Sequence, residues 1–514
     1  MASSLIRGRH LVCGVDDHGA AHVIDDGAVF QRDGVIVEVG PFVELARRHQ
    51  PDETLGSERH VIIPGLVDSH HHIGLTPVQM GSPDLPLELW FASRLRKRNI
   101  DPYLDTLYSA IEMIESGITT VQHLHSRANG PIARVHGDAT RILSAYHDVG
   151  MRVSYAYTVR DQNRMVYAPD DEFLARLPAE LAGDLATMLR AQHIPLEDNF
   201  ALFEQLRREH AASERVRIQL APANLHWCSD RALEMLRDAS GKHDAPLHMH
   251  LLETQYQKEY SRRRSSGGAV DHLHRMGLLG PRLTLGHGVW LTDADIDLLA
   301  ETGTRVCHNA SSNLRLRSGI APVNALARRG VRVSLGLDEA GINDDRDMLQ
   351  EMRLVFRLHR TPGMDEGVPT AARVLRMATE NGAATTGFGA TLGRLAPGQG
   401  ADLVLIDWRS IAYPYLDAGV PIVDAVLLRA KTSAVDTVIV AGEPVLRDGR
   451  FTRLDKGAVL EELAASLRVP LLPEEERRVA MSDRLLPHVL QFYRDEGYLD
   501  AGGAGCGPGT GCAH

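Results

Sequence analysis

The sequence predicts an α/β protein: a (β/α)8 TIM barrel that carries a small β-sandwich domain built from both chain ends. Three observations lead there. Eight short β-branched runs recur, separated by longer segments of helical periodicity; several of the runs close on His, Asn or Asp; and both flanks change to short strands with Gly- and Asp-containing turns. Strands alternating with helices mean a parallel sheet, and eight of them close a barrel. Its C-terminal strand ends form the face on which such barrels carry their chemistry.

The elements follow in chain order. Residues 1–60 contain GAVFQRDGVIVEVG, a hairpin pattern assigned to the first part of the β-sandwich domain. The barrel is expected over 61–396, with strand runs at VIIPGLV from Val61, ITTVQH from Ile118, RVSYAYTV from Arg152 and VRIQLAP from Val216. The remaining four are APLHMH from Ala245, RLTLGHG from Arg282, TRVCHN from Thr304 and VRVSLGLD from Val331. Residues 397–460, with GQGADLVLID and DTVIVAGEPVLRDGR, supply the second part of the sandwich. Residues 461–514 are expected to hold C-terminal helices and a frayed tail, AGGAGCGPGTGCAH, whose glycine content opposes packing.

Composition narrows the function. The chain has 514 residues, 44% of them hydrophobic, enough for a large core. Its 67 acidic residues outnumber 56 basic ones for a formal net charge of -11, with no Lys/Arg block, which argues against a nucleic-acid partner. The N-terminus lacks a secretory apolar core and no run of about 18 apolar residues could span a bilayer, so a cytoplasmic protein with no membrane partner is expected. Five scattered cysteines suggest neither a disulfide framework nor a CxxC zinc site, and are expected to be reduced thiols.

The chemistry concentrates at strand ends. In PGLVDSHHHIG, period-2 alternation puts His70 and His72 on one face with Asp68 and turns His71 away. HMHLLET adds His250 with Glu253 three residues on, LGHGVW adds His287, and VSLGLDEA adds Asp338. Three imidazoles, a carboxylate and a water suit one borderline divalent cation: zinc most simply, with iron or manganese as alternatives. His248 shares the face of His250 one layer deeper and reads as a packed, hydrogen-bonded core histidine. His123 and His125 read as pocket wall, with His125 a candidate substrate contact. Asn313 either bonds its loop backbone or helps position substrate.

These motifs together resemble the metal-dependent amidohydrolase superfamily, in the branch of cytosine, guanine and S-adenosylhomocysteine deaminases and triazine hydrolases. The resemblance runs from PGLVDSHHH through GSPDLPLELW (Gly81 to Trp90), ESGITTV, HLLET, LGHGVWLT, SSNLRLRSGIAPV and GLDEAGIND to LGRLAPGQGADLVLID. It implies His70, His72, His250 and Asp338 as metal ligands, Glu253 as proton shuttle and His287 as a group contacting water or substrate, with catalytic roles for Glu253, His287 and Asp338. Trp90, His125 and Asn313 are the candidate substrate-binding residues. Binuclear members need a carboxylated lysine on the fourth strand, and VRIQLAPANLHWC has none, so one metal is expected. The family pattern has Cys-Pro where this chain has Asn309 and Ala310.

The implied activity is hydrolysis of an amidine-like C–N bond in a small purine, pyrimidine, pterin or triazine heterocycle by hydroxide formed with the metal's help, releasing ammonia or an amine. The alternatives are opening of a cyclic amide, a dechlorinating triazine hydrolase and, remotely, a non-catalytic barrel scaffold. The PCxxC signature of the unrelated zinc deaminases does not occur. The resemblance also implies a homo-oligomer.

Overall fold

The computed structural model of the protein describes residues 3–72, 74–126, 129–364 and 367–498. The glycine-rich tail lies outside the described residues. Four strands open the chain: β1 (Ser3–Val15), β2 (Ala21–Arg32), β3 (Val35–Pro41) and β4 (Glu53–Pro64). The barrel follows with β5 (Leu66–His71), β6 (Ile118–His125), β7 (Arg152–Val159), β8 (Val216–Ile218), β9 (Ala221–Pro222), β10 (Leu247–Leu251), β11 (Leu283–His287), β12 (Arg305–His308) and β13 (Val333–Leu335). The chain then returns through β14 (Leu403–Asp407), β15 (Val435–Val440), β16 (Glu443–Arg447) and β17 (Arg450–Phe451).

The barrel closes in sequence order. β5, β6, β7 and β8 pair as parallel neighbours, and β9, which continues β8 after a break, also lies on β7. A parallel bridge from Leu220 to Leu247 joins this fourth strand to β10, and β10 to β13 pair in order. A last bridge, His71 to Asp338, joins the end of β13 back to β5. Every residue of β6 and β7 is buried, as expected of parallel strands covered on both faces. One boundary differs from the sequence expectation. Val61–Pro64 pair with β14 in the outer sheet, so β4 keeps them and the first barrel strand starts at Leu66. Both segments are apolar, and only their partners distinguish them.

The flanking strands form one eight-stranded sheet in the order β17-β16-β15-β14-β4-β1-β2-β3, so both chain ends contribute to it. It is fastened to the barrel by a buried ion pair, Arg152 Nε to Asp402 Oδ2 at 2.9 Å. After β17 come, among the described residues, two helices, Lys456–Leu467 and Pro473–Asp495. The second closes a satellite core with Phe173, Leu181 and Leu185 through its own Leu485, Val489 and Phe492. Among the described residues no helix is long and apolar enough to cross a membrane.

Candidate active site

Histidines from β5 and β10 and an aspartate just after β13 converge inside the C-terminal rim of the barrel. The Nε2 atoms of His70, His72 and His250 lie 3.0 to 3.1 Å from one another, and Asp338 Oδ1 lies 3.1 Å from His72 Nε2 and 3.6 Å from His70 Nε2. The local cause on β5 is a bulge between Asp68 and His71, which leaves His70 and His72 both aimed inward while His71 packs outward against His123. Leu252, His287 and Asp338 all have positive φ (51°, 72° and 56°), backbone conformations that non-glycine residues hold only under tertiary constraint. Two glycines make room: a Cβ on Gly286 would lie 2.9 Å from His70 Cε1, and one on Gly336 would lie 2.5 Å from His70 Cβ.

The donor set fits a cation. His72 Nδ1 donates to the Leu124 carbonyl at 2.7 Å and His250 Nδ1 donates to the Ala223 carbonyl at 2.8 Å. Each proton therefore sits on the far nitrogen, and both Nε2 lone pairs face the centre. His70 Nδ1 lies 2.8 Å from His248 Nε2, which can fix the third ring the same way. Burial, reinforced by the neighbouring rings, pushes His70 and His250 well below the ordinary imidazole range, which keeps them neutral, as binding a cation requires; burial acts the same way on His72, but the hydrogen bond and charge of Asp338 outweigh it and raise that ring. Three lone pairs and a carboxylate at these spacings repel unless a cation lies between them or His72 takes up a proton against Asp338. Donors around a tetrahedral ion at about 2.0–2.1 Å stand roughly 3.4 Å apart, close to the separations seen. Asp338 stays ionised: burial works against it, but His72 and the Ser312 hydroxyl, 2.5 Å from Oδ2, hold it far below the usual carboxylate range.

Beyond the tripod lie Glu253 and His287, with Glu253 Oε2 3.6 Å from His287 Nε2. Burial, then the charges of Asp338 and Glu88, push the Glu253 carboxyl well above the usual range, which favours its protonated form. His287 Nδ1 donates to Asn313 Oδ1 at 2.8 Å, and its Nε2 accepts from the Asn309 side-chain amide at 3.3 Å on the side of the ring that faces the site. Asn313 thus stands behind His287; it is not among the residues lining the cavity. Trp90 and His125 do line it, Trp90 beneath the Arg94 guanidinium at 4.4 Å and His125 with Nδ1 2.9 Å from the Tyr155 hydroxyl. The cavity measures about 1050 Å³ and takes in His72, His250, Glu253, His287 and Asp338 at its floor. Its outer wall includes Met481 of the C-terminal helix.

Sequence reasoning did not single out Gly286, Gly336 or Glu88, nor the carbonyls of Leu124 and Ala223. The glycines were open to notice as strand-end residues beside histidines, whereas backbone carbonyls leave no trace in residue identity.

A closed barrel whose rim gathers three imidazoles, a carboxylate and a buried glutamate whose carboxyl is pushed up defines a metal-dependent hydrolase, with a divalent metal as its cofactor. The chain belongs to the amidohydrolase family, whose profile matches residues 61–445. It is similar to the 5-methylthioadenosine/S-adenosylhomocysteine deaminase of Syntrophobacter fumaroxidans, 31% identical over 444 residues, 85% of this chain and 92% of that one. It is similar also to the 5'-deoxyadenosine deaminase of Methanothermobacter thermautotrophicus, 30% identical over 447 residues, 85% of this chain and 95% of that one. Among solved structures, a zinc-bound adenosine deaminase from Xanthomonas campestris is 26% identical, with a TM-score of 0.76, covering 93% of this chain and 99% of that one.

Proposed function

We propose that the protein hydrolyses the exocyclic C–N bond of an aminopurine nucleoside or a similar heterocycle, releasing ammonia. The convergence of the His70, His72, His250 and Asp338 donors near Glu253, whose carboxyl burial pushes up, carries this reading. The names of the relatives support the nucleoside class. So does the cavity of about 1050 Å³, which is larger than a bare ring requires.

One zinc ion is the proposed occupant of the tripod. His70, His72, His250 and Asp338 would hold it, and when bound it supplies a Lewis acid that makes water nucleophilic at neutral pH. Asp338 Oδ1 accepts a proton from the attacking water, its other oxygen remaining on Ser312. His287 Nε2 would exchange its long contact with Asn309 Nδ2, 3.3 Å, for a hydrogen bond from the incoming oxygen, with Asn313 fixing the ring from behind. Glu253 gives its proton to the ring nitrogen or the departing amine, a step worth about 10²–10⁴-fold. Trp90 and His125 form the wall against which the heterocycle lies. The eight-stranded sheet is read as a sandwich wrapped around the Ile6, Leu11, Leu403 and Leu405 cluster, with the domain division near residues 60, 396 and 460. Buried free thiols at Cys13, Cys228 and Cys307 are in keeping with a cytoplasmic site of action.

The test is ammonia release from a panel: adenosine, 5'-deoxyadenosine, 5'-methylthioadenosine, S-adenosylhomocysteine, guanine, cytosine and melamine. Turnover concentrated on the nucleosides supports the reading. Release from none of them, with chloride released from a chlorotriazine instead, overturns it.

A further inference from the structure

Glu88 lies two residues before Trp90 on the helix Leu87–Ser93, yet it is only 3% exposed. Carboxylates are rarely buried unless paired with a cation, and Glu88 is bonded to two hydroxyls instead. Its Oε1 accepts from the Thr254 hydroxyl at 2.5 Å and from the Tyr167 hydroxyl at 2.8 Å. Its Oε2 has no hydrogen-bond partner among the described residues. Thr254 directly follows Glu253 and caps the helix Gln255–Arg264, accepting from the Gln257 N–H at 3.3 Å. Gln257 in turn accepts from the Glu253 N–H at 2.9 Å. Glu253 is thus held on both sides, its own amide by Gln257 and its neighbour's side chain by Glu88. The turn needs holding, because Leu252 immediately before it has φ of +51°. Through Tyr167 the same oxygen reaches the satellite core, where that ring stands 5.4 Å from Tyr493 of the C-terminal helix.

We propose that Glu88 is a positioning residue for proton transfer: through Thr254 it holds Glu253 over the reacting atoms and ties that turn to the cavity wall that carries Trp90. This rests on the role given to Glu253 above. A hydroxyl-to-carboxylate hydrogen bond is short and directional, so it constrains the Thr254 side chain more tightly than a neutral contact would. Burial pushes the Glu88 carboxyl itself up, against the Thr254 and Tyr167 hydroxyls, and in its ionised form its charge acts on Glu253 as well. After burial and Asp338, it is the next influence that keeps the proton on Glu253.

The experiment uses the full-length, zinc-loaded enzyme with 5'-deoxyadenosine, or the panel compound turned over fastest where that differs. Five variants are compared: Glu88→Ala, Glu88→Gln, Thr254→Val, Thr254→Ser and Glu253→Gln. Glu88→Ala and Thr254→Val are expected to lower kcat by about tenfold or more, with KM and metal content little changed, and Thr254→Ser is expected to restore most of the rate. Glu88→Gln keeps the acceptor oxygen and loses the charge, so kcat stays within about threefold of wild type at its optimum while the alkaline limb of the pH profile moves to lower pH. A purely structural role would not move that limb. Wild-type kcat in both Glu88→Ala and Thr254→Val, or an unmoved limb in Glu88→Gln, overturns the inference. If Glu88→Ala does not fold, the Thr254 pair decides. Should Glu253→Gln itself keep wild-type turnover, the proton-transfer role of Glu253 fails and takes this one with it. Loss of turnover in Glu253→Gln alone overturns only the link through Glu88.

Discussion

Glu253 separates binding from chemistry at the scale of one residue. It lies three positions beyond His250 and stands clear of the tripod, so Glu253→Gln is expected to retain metal and fold while turnover falls by about 10²-fold or more, measured as kcat beside metal content. On the proposed mechanism the wild-type enzyme uses the protonated carboxyl, so its rate is expected to fall as pH rises through the raised Glu253 pKa. The variant has no such group to titrate, and its alkaline limb disappears. The three histidines make a second test. His70→Ala and His72→Ala should lose the metal, while His71→Ala, whose ring packs against His123, should keep it, checked by elemental analysis of purified protein. Equal loss in all three would refute the strand register. Alternation alone predicted this sorting from the sequence; the bulge that delivers it in three dimensions carried no sequence signal.

At the scale of elements, strand ends and the C-terminal helix govern the site. β11 approaches His70 so closely at Gly286 that one added methyl group must displace the imidazole. Gly286→Ala is therefore expected to weaken metal binding at least about tenfold, read by competition with a chelator, with the fold intact by circular dichroism. The helix Pro473–Asp495 was expected only as part of a C-terminal helical segment. Its Leu485 and Phe492 complete the satellite core, and its Met481 lines the cavity. Phe492→Ala should cost about 3–5 kcal/mol of stability, seen as a lower Tm, and should raise KM more than it lowers kcat because a wall of the cavity loosens. An unchanged KM would separate the helix from substrate binding. Nothing in the helix's own periodicity says what its apolar side covers.

At the scale of the molecule, buried carboxyls couple the fold to pH. Glu351, held by the Ser311 amide and hydroxyl, is pushed from the ordinary range up to about 7 by burial. Its folded pKa exceeds its unfolded one, so its contribution to stability is fully present below about pH 4.5 and is lost as pH rises through about 7. Glu351→Gln should flatten the decline of Tm between pH 5 and 8 in this measurement; a profile parallel to wild type would contradict the assignment. The proposed metal site would act over the whole barrel too, since its residues join β5, β10 and the end of β13. One equivalent per chain is expected, and its removal by chelation should lower Tm in proportion to the logarithm of free metal over its dissociation constant.

By itself the sequence determined the eight barrel strands in order, the strand-end placement of His70, His72, His250, Glu253, His287 and Asp338, and the inward facing of His70 and His72. All of these follow from local periodicity and motif spacing, which act within a few residues. Only the tertiary structure decided where each proton sits and what each polar atom answers to. The carbonyl that orients His72 is 52 residues away, the amide that orients His287 is 26 away, and the glutamate bonded to Thr254 is 166 away. The same holds for Val61–Pro64, an apolar run that belongs to the outer sheet because β14 is its neighbour. A residue's type states which hydrogen bonds it can make, and the fold alone brings it the partner.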